Sequence, residues 1–172
     1  MIALALYSVF GSGIKIWTAV NKSIPEEDLN IFLYKFGRDL ENSFSFKGID
    51  FLGKEDSIEF PAIVNSQRLE KRTIGQVVYS CKPTQEIVIR EERDFSHIYE
   101  EDDGEVTQAV SGVESLTFQY RYYNSEIKEY VWVDEWEREK LPTAVKIELE
   151  FNDGSEIKKI TRTIDIPNSG SL

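Results

Sequence analysis

Cysteine and histidine are almost absent from this chain of 172 residues, which has one of each, Cys81 and His97. A single cysteine excludes an intrachain disulfide and a cysteine-rich metal site, and a single histidine excludes every multi-histidine metal site. The two residues could formally make a nucleophile–base pair. Cys81, however, lies in a segment of alternating polarity, where a cysteine usually serves as a small buried hydrophobic residue. We therefore predict no cysteine–histidine catalytic site.

Basic charge is also scarce, because 20 Lys and Arg residues stand against 31 Asp and Glu residues and give a formal net charge of -11. Such a surface repels phosphate groups, so nucleic acid and anionic lipid are poor partners. Glycine-rich phosphate loops are missing, since residues 11–13 follow no predicted strand and lack the lysine of a P-loop. The length favours one domain, and 41% hydrophobic with 30% charged residues is typical of a soluble globular protein.

Long hydrophobic runs are missing too. The apolar stretch from Ile2 is uninterrupted only to Ser8, which is too short to span a bilayer. No basic residue precedes it and no convincing small-residue cleavage site follows it, so it is not typical of a signal peptide. We interpret residues 1–22 as the remainder of a helix that is apolar on all sides at first and becomes amphipathic at Ile14. A longer apolar segment is expected before it in the native protein.

A second helix is strongly indicated after residue 22. Ser23 and Glu26 form a capping-box pattern, Pro25 falls in the first turn, and acidic residues lie at the positive end of the helix dipole. Apolar residues then recur at helical spacing: Leu29, Phe32, Leu33, Phe36 and Leu40. This helix is therefore predicted to lay one apolar face on a sheet.

After Asn42 the polarity alternates with a period of two, which predicts antiparallel strands. "TIGQVVYSCK" and "EIVIREE" form one predicted hairpin, and "AVKIELEF" and "EIKKITRTIDI" form another. The polar segment between the two strand groups, residues 93–112, is predicted to be a long surface loop. Together these elements predict an α+β fold in which residues 23–172 form one globular head. Its helices pack on antiparallel strands arranged in two subsheets.

An acidic cluster at residues 100–105 is the first candidate site. Oxygen-rich loops bind calcium, and Glu91, Glu92 and Asp94 could join such a site. The spacing does not match an EF-hand loop, and consecutive carboxylates in a turn point in different directions. A solvated acidic loop is therefore the favoured interpretation, and no metal site is predicted.

Two tryptophans, Trp132 and Trp136, lie four residues apart in an acidic stretch and are the second candidate site. Tryptophans stack on sugars and carboxylates act as general acids, so a carbohydrate-binding or glycan-cleaving domain is one hypothesis. The alternative is that aromatic residues on a sheet make core or cross-strand contacts. We favour packing, and predict Trp132, Trp136, Leu141 and Pro142 as anchors of the second subsheet.

The longest pattern in the chain joins several short motifs: Gly112-Val113, Leu116, Phe118 and Tyr120, then the two tryptophans, then Leu141-Pro142 and Ala144-Val145, then Arg162 and Ile164. This pattern resembles the C-terminal half of the J-type minor pseudopilin of type II secretion systems, a pilin-like family. The resemblance extends upstream through residues 37–44 and 58–64 and through the segment that carries Arg90. The Leu-Pro-x-Ala-Val step, with the tryptophans before it, is its most specific part.

The resemblance implies a structural subunit rather than an enzyme, without catalytic residues or cofactor. J-type pseudopilins assemble with I-type and K-type partners at the tip of the periplasmic pseudopilus and support export of folded proteins across the outer membrane. Residues 1–22 resemble the middle of a pilin-type helix, so we expect the native protein to be anchored in the inner membrane with a periplasmic head. Ile14, Trp17 and Val20 are predicted to contact partner helices, and secreted proteins are further candidate partners.

Two alternatives stay open on the sequence. Minor subunits of a type IV pilus or a competence pseudopilus share the N-terminal helix and differ in the head, so soft head motifs do not separate them from a secretion subunit. The second alternative, from a different class, is the carbohydrate-binding domain that would use Trp132 and Trp136.

Overall fold

The computed structural model describes residues 26–170 except 101, 103, 139 and 154. Residues 1–22, and with them the predicted remainder of a first helix, lie outside the described part of the chain, so that division into segments stays a prediction. Helix α1 (Glu26–Glu41) has the predicted acidic first turn and a basic residue, Arg38, in its last turn. Both charges suit the helix dipole. The helix ends where Ser43 Oγ donates a hydrogen bond to the carbonyl of Leu40 at 2.7 Å.

A first sheet has five antiparallel strands in the order β1-β2-β3-β4-β5. These strands are β1 (Leu52–Gly53), β2 (Ser57–Ser66), β3 (Lys71–Lys82), β4 (Ile87–Asp94) and β5 (Glu105–Ser111). Strands β3 and β4 form the predicted hairpin, and a 3-10 turn at Pro83–Gln85 connects them. The turn closes at Glu86, whose φ of 53° is left-handed.

Residues 93–112 are not the long surface loop that their polarity predicts. They contain the end of β4, a short helix α2 (Phe95–Glu100) and the whole of β5. Strand β5 pairs with β4 from Ile87↔Ser111 to Glu92↔Glu105, although Val110 is its one buried side chain. This edge strand is held mainly by backbone hydrogen bonds, and most of its side chains are exposed. Its sequence therefore does not alternate between polar and apolar residues.

A second sheet has four antiparallel strands in the order β7-β6-β8-β9. They are β6 (Val113–Asn124), β7 (Glu129–Val133), β8 (Ala144–Asn152) and β9 (Ile157–Asp165). The β8–β9 hairpin was predicted, and the Asp153 carboxylate in its turn accepts hydrogen bonds from the backbone of Ser155 and Glu156. The alternating face of β6 is buried as expected at Leu116, Phe118 and Tyr120.

The core lies where α1 covers both sheets. Phe36 is fully buried. Its ring centre lies 5.0 Å from that of Tyr79 on β3, in an edge-on contact, and 5.7 Å from that of Phe118 on β6. The predicted apolar face of the helix is buried in full. These contacts confirm an α+β fold with a helix packed on two antiparallel subsheets.

Polar contacts fix the helix on the first sheet. The Asp39 carboxylate accepts hydrogen bonds from the Tyr79 hydroxyl at 2.7 Å and from Arg90 Nε at 2.8 Å. Arg90 also pairs with Glu92 on its own strand. Burial opposes the charge of Arg90, but its bonds to Asp39 outweigh that effect and raise its pKa. These polar contacts, together with the apolar face, fix the rotation of α1 about its own axis.

Candidate partner-binding surfaces

The outer face of α1 carries apolar side chains that the core does not use. Ile31 is 45% exposed and Tyr34 is 62% exposed, whereas Phe32 and Leu33 between them are buried. The guanidinium of Arg38 donates a hydrogen bond to the Tyr34 hydroxyl at 3.2 Å and holds that ring over one side of the helix. We call Ile31, Tyr34 and Arg38 the outer stripe of α1. Exposed apolar residues in one row on a helix are suited to contact another helix.

The predicted partner-contact residues Ile14, Trp17 and Val20 lie outside the described residues. Their role therefore stays a prediction. The outer stripe lies further along the chain, on the helix that follows them. The helical period of the apolar residues indicates only the buried face of α1, so it does not predict this stripe.

Trp136 lies in the seam between the two sheets. It is 2% exposed, and its indole Nε1 donates to the carbonyl of Lys140 at 2.9 Å. Its backbone exchanges two hydrogen bonds with Gly53, at 2.8 and 2.7 Å, and so joins the second sheet to the first. A side chain at Gly53 would not fit, because a Cβ there would lie 2.3 Å from the Tyr120 ring. Trp136 has no free ring face for a sugar to stack on.

Trp132 has a different environment from Trp136. It lies half-buried on the outer face of the second sheet, with Lys146 Nζ 4.4 Å and the Arg121 guanidinium 5.6 Å from its ring centre. Both cations already occupy the ring by cation–π contact. The carbohydrate hypothesis required two neighbouring exposed tryptophans, and the structure presents only one, already engaged by cations.

Leu141 and Pro142 are both buried at the entry to β8. The backbone N–H of Thr143 donates to the carbonyl of Arg121 at 2.7 Å and begins the β6–β8 pairing there. Proline before this point has no N–H to leave unpaired. We propose these two residues and the two tryptophans as packing anchors, with Trp136 the strongest.

Acidic residues beside α2 border a cleft of about 340 Å³, and the carboxylates of Glu92, Asp94 and Glu100 there have protein partners. Glu91 makes two bonds to Arg93, at 2.6 and 3.0 Å, and accepts the N–H of Gly104 at 2.8 Å. Glu92 binds Arg90 and the N–H of Asn65. No group of three or more potential ligands in the described residues is placed to hold a metal ion. Residues 101 and 103 of the cluster lie outside them.

Asp94 has the most perturbed carboxyl group in this region. Burial opposes its ionisation, but hydrogen bonds from Ser66 Oγ, from the backbone N–H of His97 and from the His97 ring outweigh burial and lower its pKa from 3.8 to about 2. It also accepts the N–H of Ser96 at 2.9 Å, so it caps helix α2. This carboxylate holds α2 against the turn after β2.

Asp94 should make stability depend on acid. Because its folded pKa is depressed, the stabilisation is complete above the unfolded value near 4 and is lost as the pH falls through about 2. Asp94→Asn is expected to cost about 2 kcal/mol at pH 5 and much less at pH 2.5. Urea unfolding of both proteins at each pH measures this difference, and an equal cost at the two pH values would contradict the assignment.

Cys81 and His97 are not brought together. Cys81 pairs with Val88 near the turn of the β3–β4 hairpin, whereas His97 follows Asp94, which pairs with Gly75 at the other end. Six residues of strand span about 20 Å. Burial raises the pKa of the Cys81 thiol, which disfavours the reactive thiolate. Cys81 and His97 therefore lie too far apart to act as a nucleophile–base pair.

Comparison with known proteins gives the functional class. The family described as "Type II secretion system (T2SS), protein J" matches residues 29–163, well over half of the chain. The chain belongs to this family. The predicted resemblance to J-type minor pseudopilins is thereby confirmed. No curated protein matches the chain.

The J-family match begins in the first turns of α1 and ends in β9, so it spans the helix and both sheets. Pseudopilins of this system interact with other pseudopilins in the pseudopilus, and they are anchored in the inner membrane with periplasmic heads. Among the described residues, no helix is both long and apolar enough to cross a membrane. The predicted contact residues Ile14, Trp17 and Val20 lie outside the matched range as well.

Proposed function

We propose that this protein is a structural subunit of a type II secretion pseudopilus tip and assembles there with I-type and K-type pseudopilins. In this role it supports the export of folded proteins across the outer membrane and catalyses no reaction. The J-family match over residues 29–163 carries the proposal. The structure of the head is compatible with this role, because α1 buries one face in the core and exposes the outer stripe on the other.

The partner interface is proposed to run from the segment that holds Ile14, Trp17 and Val20 onto the outer stripe of α1. The stripe alone is too small, since a stable interface buries roughly 800 Å² on each partner. Two exposed side chains cannot supply that area. The contacts predicted for Ile14, Trp17 and Val20 would add to that area.

Charge on the outer stripe should disrupt assembly. Ile31→Asp is expected to weaken binding to the partner pseudopilins at least about tenfold, because a buried carboxylate without a partner is costly. Binding of the purified head to immobilised I-type and K-type heads measures this effect. Ile127→Asp is a matched control, since Ile127 is 57% exposed but lies in the turn between β6 and β7.

The control should bind as the unchanged protein does. Equal weakening by both variants would indicate a general charge effect, and no weakening by Ile31→Asp would place the interface away from α1. Circular dichroism shows whether each variant keeps its fold.

A further inference from the structure

Strand β9 is an open edge of the second sheet. It pairs with β8 along its whole length, and no other strand among the described residues pairs with its outer side. Every second residue of an edge strand points its N–H and C=O outward, where another extended chain can bind them. At nine residues, β9 is longer than the edge strands β5 and β7.

Helix α1 runs beside this edge and makes a groove with it. The pKa of Lys158 is raised chiefly by its hydrogen bond to Asp153, and the carboxylate of Glu26 at the start of α1 adds to the effect. Further along, a Cβ on Gly37 would lie 3.9 Å from the Ile164 side chain. Around Gly37, α1 and β9 border a groove of about 190 Å³ whose lining includes Tyr34, Arg38, Glu41, Arg162 and Ile164.

Two arginines in this groove lack acidic partners. Within the described residues, neither Arg38 nor Arg162 lies in an ion pair, and the same holds for Arg72 and Arg138 outside the groove, whereas the arginines at positions 68, 90, 93 and 121 each have a carboxylate partner. Glu41 lines the same groove without pairing with either. Without a carboxylate partner in the described part of the chain, the guanidinium groups of Arg38 and Arg162 are available to a carboxylate from another molecule.

The side chains of β9 also select the kind of strand that can pair with it. Lys158, Lys159 and Arg162 are its charged residues before Asp165. A second copy of β9 would bring like charges together across the new ladder, which is destabilising. Arg162 pairs with the fully buried Ile147, so it lies on the α1 side of the sheet, where Arg38 also borders the groove.

We propose that β9 binds an extended acidic segment of a partner protein by strand addition. The backbone of the segment pairs with the open edge of β9, and carboxylates on the side that faces α1 bind Arg162 and Arg38. Main-chain bonds supply affinity in this mode, and alternate side chains supply specificity. The site stands on the edge strand and the two arginines; it shares Arg38 with the outer stripe of α1, whereas Arg162 lies on β9 outside that stripe.

A labelled nine-residue peptide of alternating glutamate and valine is the probe, and fluorescence anisotropy with the purified protein measures its binding. Arg162→Glu and Arg38→Glu should each lower the affinity at least about tenfold, while Arg162→Lys should retain part of it. Arg72→Glu, the same charge change on the exposed β2–β3 hairpin, should leave affinity within about twofold. Methylation of alternate peptide amides, which removes the ladder donors, should abolish binding.

Three results would overturn the proposal. The first is no binding by the unchanged protein. The second is equal binding by Arg162→Glu, and the third is binding that survives amide methylation. Sedimentation of the protein alone distinguishes self-pairing, because a dimer that Arg162→Glu alters would assign the edge to a second copy. If the unchanged protein fails to bind the peptide but binds the I-type and K-type heads, the strand-addition site is wrong and the proposed function is unaffected.

Discussion

Phe36→Ala is expected to lower the free energy of unfolding by about 3–5 kcal/mol. Phe36 is completely buried and its ring touches the first sheet at Tyr79 and the second at Phe118. Removing it leaves a cavity at a point where the helix meets both sheets. Part of this cost is lost burial, and part is lost contact among aromatic rings.

Urea unfolding measures this change, and Tyr34→Ala on the opposite face of the same helix is the control. Tyr34 is 62% exposed, so its replacement should change the stability by less than about 1 kcal/mol. If both variants lose the same small amount, α1 is not packed across the two sheets as described.

Trp136→Ala is expected to have an effect of similar size, about 3–5 kcal/mol. The indole is buried against Tyr120 and Tyr122, with ring centres 6.4 and 6.0 Å away, and its N–H has a backbone partner. The residue also carries the backbone link to Gly53 between the two sheets. Loss of the indole should loosen that seam.

Trp132→Ala separates the two tryptophans. Because Trp132 is half-buried and held mainly by two cations, we expect its replacement to cost only about 1 kcal/mol. Denaturant unfolding of both variants gives the comparison. Equal costs would show that the two residues anchor the sheet alike, and a larger cost for Trp132 would reverse the assignment made here.

The sequence was sufficient for elements whose side chains follow a clear period. The five apolar residues of α1 recur at helical spacing and are all buried, and the β6 face alternates as observed. The β8–β9 hairpin had a strong turn signal in Asn152, Asp153 and Gly154. In these segments the apolar residues that recur with a regular period are also the ones that the fold buries, so the period predicts the structure.

The region after β4 could not be predicted in this way. Strand β5 and helix α2 are held by backbone pairing and by carboxylates such as Asp94 and Glu91, which bind groups distant in sequence or in neighbouring turns. Such contacts leave no period in the sequence, and a polar edge strand then looks like a loop.

The two tryptophans show the same limit at a candidate site. Both lie in one acidic stretch, yet one falls in the seam and the other on the outer face, because the chain leaves β7 between them and bridges to Gly53. The outer stripe of α1 was readable in principle. Ile31 and Tyr34 are apolar or aromatic positions off the buried face, and exactly such residues indicate a second contact surface.

Secretion by a strain that lacks this chain tests the central proposal most directly. The measurement is the fraction of a folded substrate of the type II system that reaches the culture medium, with and without the gene supplied in trans. We predict that the substrate accumulates in the periplasm without the chain and is released again when the chain is restored. Normal secretion, together with loss of pilus assembly or DNA uptake, would contradict a role in the secretion pseudopilus.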